Sequence, residues 1–133
     1  MFHPIFFMML LTFIIGTLAV RQRVNSVKTK QVSIKYFQLM DGENVPDHIV
    51  RMSRSFNNQF EMPVLFYVVC LVYLHFQIES LMAVSLAWTF VVIRYIHAYI
   101  HIVYNNVLHR MISFWLSSVC LLGLLINLLF YVP

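Results

Sequence analysis

The sequence predicts an all-α fold, a bundle of four transmembrane helices, and three observations carry that prediction. Of its 133 residues, 61% are hydrophobic and 11% charged, where a soluble domain runs nearer half apolar and about a quarter charged. The mean hydropathy is +0.79. The apolar residues gather in four long runs bounded by polar ones, and with Gly 3 and Pro 4 little interrupts them. Inside lipid each backbone group must find its partner within its own segment, so such runs are helices rather than strands. At roughly 20 residues per crossing, the length holds four helices and one modest loop as a single domain, residues 1–133. This composition excludes a disordered chain, a disulfide scaffold and most soluble enzymes. Cys70 and Cys120 both lie inside apolar runs, so neither a disulfide framework nor a zinc cluster is readable.

The first helix is expected at about residues 5–20. Met1-Phe2-His3-Pro4 lacks the basic start of a signal peptide and no small-residue cleavage site follows, so this helix is retained. A long polar segment comes next, with its loop marked by Asp41-Gly42-Glu43-Asn44 and Pro46. The second helix is expected at 56–76; its apolar run starts only at Met62 and must take in the preceding turn and a half to cross. That extension draws Asn58 and Glu61 into the protein interior. The third helix is expected at 81–103 and the fourth at 111–132.

Charge sets the orientation. Seven of the nine cationic residues (Arg21, Arg23, Lys28, Lys30, Lys35, Arg51 and Arg54) lie between the first two crossings, and the third connection adds His109 and Arg110. The second connection, Gln77-Ile78-Glu79-Ser80, has one acid and no base. The positive-inside rule makes the 1–2 and 3–4 loops cytoplasmic and both termini extracytoplasmic, in a multi-pass integral membrane protein. The net charge of +4 reads as topology and contact with anionic membrane lipids. No basic stripe is interleaved with exposed aromatics, so no nucleic-acid partner is expected.

The most informative residues are polar ones at membrane depth. A charge near a helix centre costs roughly 2.5–3.5 kcal/mol on insertion scales, yet Arg94 sits inside the third run. Arg94, His97, His101 and Asn105 recur at helical spacing and share one face; so do Arg54, Asn58 and Glu61 on the second helix. Two polar stripes on adjacent helices are expected to meet in the bundle. One reading is structural: Glu61 and Arg94 neutralise each other, with Asn and His as interhelical glue worth about 0.6–2 kcal/mol each. The other is a binding site. The His97-x-x-x-His101 pair also suits metal or haem iron, but that face offers no Cys, Asp or third His at a fitting spacing, and no metal is expected.

The stretch Arg54-Ser-Phe-Asn-Asn58-Gln-Phe-Glu61-Met-Pro63-Val-Leu-Phe-Tyr67 resembles the second-helix motif Arg-x-x-x-Asn-x-x-Glu of the MAPEG family, membrane-associated proteins in eicosanoid and glutathione metabolism. Trp88-x5-Arg94-x-x-His97-x-x-x-His101, with Asn105 and Arg110 beyond it, is similar to the third-helix signature and the arginine that follows it. The Glu-x-Pro-Val-Leu-Phe-Tyr form is most similar to short bacterial members. Motif agreement runs from about Arg51 to Phe114, and the four-helix plan covers the whole chain.

The resemblance implies a homotrimer in a bacterial inner membrane, with glutathione as co-substrate held between subunits near the cytoplasmic side. It implies Arg54, Asn58, Glu61, Arg94, His97 and His101 as glutathione-binding residues and Arg110 as the catalytic residue beside the sulfur. The chemistry suits them: arginine forks and a Glu–Asn pair match the carboxylates, amine and peptide groups of glutathione. A guanidinium near a thiol of pKa about 8.5 favours the thiolate nucleophile. The implied activity is transfer or peroxide reduction on a lipophilic electrophile; a non-catalytic lipid-binding or partner-modulating member of the same fold is the alternative. The chain departs from the enzymes' pattern at His101 and Phe114, where tyrosines are common, at Met111, where some have serine, and at Asn57, where some have arginine. These departures leave the glutathione scaffold readable and bear on the catalytic step.

Overall fold

A computed structural model describes residues 1–40 and 45–131; the loop expected at Asp41–Asn44 and the last two residues lie outside the described residues. Among the described residues every regular element is helical. In order these are α1 (Phe2–Lys28), α2 (Tyr36–Leu39), α3 (Asp47–Asn57), a 3₁₀ turn (Asn58–Phe60), α4 (Met62–His75), α5 (Leu81–Val103) and α6 (Val107–Leu129). Three of them, α1, α5 and α6, are long and apolar enough to cross a membrane. At 1.5 Å per residue, the 27 residues of α1 span about 40 Å and the 23 of α5 or α6 about 35 Å, against a hydrocarbon core of about 30 Å. The outer faces carry Leu65, Val68, Leu71, Val92, Ile96, Trp115 and Leu122, all exposed. In water that surface would associate; in lipid it is solvated.

The third helix begins and ends where its apolar run does, because Ser80 caps its first turn by accepting from Ala83 N–H at 3.2 Å. The other boundaries differ from expectation. The first helix continues to Lys28, since its polar last turns satisfy their own backbone outside the apolar run. The fourth starts at Val107 rather than 111, because the Asn106 side chain accepts from His109 N–H at 3.0 Å and caps it there.

The largest difference is in the second helix. No single helix covers 56–76: the backbone leaves helical geometry at Glu61 (φ −100, ψ −106) and restarts as α4, 14 residues long. Pro63, at the second position of α4, supplies the reason. It has no N–H to donate, and in a continuous helix its ring would strike the carbonyl of Gln59.

The core is a strip of Met8, Leu11, Ile15, Phe66, Cys70, Phe90 and Leu124 between α1, α4, α5 and α6. Phe66 and Phe90 stack with centroids 4.4 Å apart. α3 lies against α1, and Gly16 permits the approach: a Cβ there would stand 3.1 Å from the Phe56 ring.

Candidate functional site

Polar residues of the 3₁₀ turn, α5 and α6 converge at the end of the bundle where α5 turns into α6. Asn58, His97, Val107, Arg110, Met111 and Phe114 line a cavity of about 240 Å³ there. Three separate segments supply the lining: the 3₁₀ turn, the last turns of α5 and the first turns of α6. The start of a helix adds the partial positive charge of its free N–H groups, so α6 reinforces the guanidinium of Arg110.

Arg94 is 1% exposed. Among the described residues its partner is not a carboxylate. Nη2 donates to the backbone carbonyl of Asn58 at 2.8 Å, while Nε is buried with no partner among the described residues. The two polar stripes therefore do meet, through a carbonyl made available where the chain changes from α3 into the 3₁₀ turn. Glu61 is exposed at the helix break, and its carbonyl accepts from Val64 N–H at 3.1 Å. Arg54 is exposed too. Neither Arg54 nor Glu61 lines the cavity, and the break at Glu61 takes that residue off the single straight face that helical spacing suggests.

The α5–α6 connection organises the other half. Asn105 does not continue the α5 face; α5 ends at Val103, and Asn105 takes the left-handed conformation (φ 50), which asparagine tolerates. Its N–H closes the helix on Ile100 carbonyl at 2.7 Å, and its Oδ1 accepts from Arg110 Nη1 at 2.8 Å.

His97 is buried with its Nδ1 2.9 Å from Ser113 Oγ. The same hydroxyl stands within hydrogen-bond distance of the carbonyls of His109 (2.8 Å) and Arg110 (3.0 Å). With its proton on a carbonyl, Ser113 accepts from the ring, an arrangement that puts the His97 proton on Nδ1 and leaves Nε2 as the acceptor. That Nε2 is buried and has no partner. His101 is fully buried, its ring centre 6.0 Å from that of His97, and both its nitrogens lack partners among the described residues. Among the described residues no group of three or more His, Cys, Asp or Glu stands close enough to hold a metal ion.

Sequence spacing missed Ser113 and the part played by Asn105. Ser113 looks like one more small residue in an apolar run. The pair Asn105-Asn106 between two such runs was the readable signal, since one asparagine suits a left-handed turn and the next a helix cap.

The arrangement presents the half-buried Arg110 guanidinium, the His97 imidazole and Asn58 around one cavity, with the buried Arg94 hydrogen-bonded to the Asn58 carbonyl. It suits an anionic ligand that also carries hydrogen-bond donors. No curated protein and no solved structure matches the chain. The model of the MAPEG family matches residues 1–130. With that match covering nearly all of an all-helical, membrane-embedded chain, the protein belongs to the MAPEG family.

Proposed function

We propose that the protein is a glutathione transferase or peroxidase acting on lipophilic electrophiles, with glutathione as co-substrate and Arg110 as the thiolate stabiliser. The observation that carries the reading is the cavity itself: Asn58, His97 and Arg110 come from three segments and line one space, with Arg94 hydrogen-bonded to the Asn58 carbonyl. Glutathione bears two carboxylates and one ammonium, a net negative charge that suits this cationic surrounding. In transfer, the thiol proton passes to water and the thiolate forms a carbon–sulfur bond as the leaving group departs with its electron pair. In peroxide reduction, two glutathione molecules become a disulfide while a hydroperoxide becomes an alcohol and water.

The second substrate has an apolar approach. Phe13, Gly16, Thr17 and Val20 of α1 with Phe56 and Phe60 line a groove of about 580 Å³, and the segment carrying Phe56, Asn58 and Phe60 borders both spaces. In this reading the assembly is a homotrimer. The exposure of Arg54 and Glu61 supports it, since motif residues facing outward suit a site completed between subunits. α3, the 3₁₀ turn and α4 together form the second of four crossings. The basic 1–2 and 3–4 loops face the cytoplasm of a bacterial inner membrane.

Two measurements test this. Glutathione titrated into purified protein should form a complex whose thiolate absorbs near 240 nm at neutral pH, and conjugation of an aryl halide should follow. Binding without turnover on any of a panel of electrophiles and hydroperoxides would favour the non-catalytic lipid-binding or partner-modulating alternative; no binding would defeat both activity and site. For topology, reporter fusions at residue 79 and at the C-terminus should both report the outer side.

A further inference from the structure

We propose that Asn105 is a positioning residue for Arg110, holding the guanidinium so that one end of its fork is kept for a ligand in the cavity. The inference rests on the glutathione reading only for what the ligand is; the hold itself stands on geometry. Arg110 lines the cavity from the first turns of α6, on a long side chain with several freely rotating bonds. Left alone, such a chain samples many rotamers and swings toward lipid headgroups. Asn105 restrains it. The amide oxygen accepts from Nη1 at 2.8 Å, and a guanidinium has only donors, so the amide orientation follows from its partner. This takes up one edge of the planar fork and leaves Nη2 uncommitted among the described residues.

The backbone makes the restraint stiff. Asn105 sits in a left-handed conformation (φ 50) between the end of α5 and the Asn106 cap of α6. Its N–H is tied to Ile100 at 2.7 Å. Asn105 is therefore held between two helix ends in a connection of three residues. A lysine at 110 would lose the fixed plane on which this depends.

The left-handed backbone also provides a clean test. Glycine adopts that conformation without strain, so Asn105→Gly keeps the turn and removes only the amide. Phenylglyoxal, which modifies arginine side chains, is applied to the whole protein in detergent, and modification of Arg110 is followed by mass spectrometry, with exposed Arg21 as internal standard. Losing one hydrogen bond should speed modification of Arg110 by about three- to tenfold in Asn105→Gly. Asn105→Asp keeps the acceptor and should leave Arg110 as protected as in the parent chain. In the glutathione complex, Asn105→Gly should raise the thiol pKa toward its free value of about 8.5 and lower kcat, with KM for glutathione changed less than about twofold. Equal modification rates in all three proteins would overturn the proposal. A faster rate in Asn105→Gly, in a protein whose parent form binds no glutathione, would uphold the positioning and remove the glutathione reading instead.

Discussion

The two ends of the bundle treat buried polar groups in opposite ways. At the end where α4 meets α5, the Tyr73 hydroxyl lies 2.9 Å from the Leu124 carbonyl and 2.8 Å from Asn127 Oδ1. Ser80 donates to the same Asn127 oxygen at 3.2 Å and accepts from Ala83 N–H at 3.2 Å. Every member of that set has a partner. At the other end, Gln59 Oε1, Arg94 Nε, His97 Nε2, both nitrogens of His101 and Arg110 Nε are buried without one among the described residues. A buried polar group left unpaired costs about 1–3 kcal/mol, so the second arrangement is poor glue. The difference teaches how to tell the two uses of polarity in an apolar bundle. A closed network holds helices together; an open one, spread around a cavity, is built for something else to complete it.

Substitutions at the two ends should separate along this line. The largest expected effect is from Glu61→Leu with Arg94→Leu. If Arg94 only ties α5 to the Asn58 carbonyl and Glu61 has no part in binding, the double change leaves ligand affinity intact; in the proposed site it should weaken glutathione binding by at least about 100-fold, the loss of two charge-assisted contacts. Calorimetric titration of protein that still inserts in the membrane decides. Unchanged affinity would reduce the open end to structural polarity after all.

Next comes Arg110→Leu. An opposite charge within about 4–6 Å lowers a thiol pKa by one to three units, so the bound thiol should titrate near its free value in the variant. The reactive species is the thiolate, so conjugation rises as pH passes upward through the bound pKa. The profile of Arg110→Leu should lie displaced to higher pH, with glutathione affinity reduced only modestly. Thiolate absorbance near 240 nm against pH measures it. An undisplaced curve would make Arg110 a membrane-flanking charge.

Ser113→Ala should act less strongly. It frees Nδ1 of His97 and lets the ring proton move to Nε2, turning an acceptor into a donor. An affinity loss of about three- to tenfold is expected, with partial recovery in Ser113→Thr. The smallest effect on glutathione, none, is expected from Tyr73→Phe at the closed end. That change should instead lower thermal stability by about 0.5–1.5 kcal/mol. A change in glutathione affinity in Tyr73→Phe would break the distinction between the two ends.

How far the sequence revealed these ends depends on what kind of signal each residue carries. α5 was legible at both boundaries because the Ser80 cap and the apolar run coincide. The break at Glu61 was marked by Pro63, but the need for a full-length crossing outweighed it in the expected 56–76 helix. The polar stripes were legible as stripes, and Asn58, His97 and Arg110 do line one cavity. Pairing Arg94 with Glu61 was the natural reading of two opposite charges, yet the guanidinium takes a main-chain carbonyl. Such acceptors appear only where a helix changes its geometry, and side-chain spacing cannot announce them. Ser113 was silent for a related reason: its role depends on where its own proton goes, which two carbonyls decide.

The brevity of the α5–α6 connection bears on how the protein comes to be assembled. With three residues, Tyr104 to Asn106, between two long helices, α5 and α6 form a hairpin whose contacts are local along the chain. Local contacts close early and at little loop entropy. His97 with Ser113 and Asn105 with Arg110 are both pairs within that hairpin, so this half of the cavity needs no other helix to take shape. Asn58 arrives from 36 residues before Arg94. The cavity is thus completed by the segment around the 3₁₀ turn, packed onto a hairpin whose own pairs are local in sequence. A lesion in α1 or α3 that spares α5 and α6 should leave a membrane-inserted protein with half a site, able to position its arginine and unable to enclose a ligand.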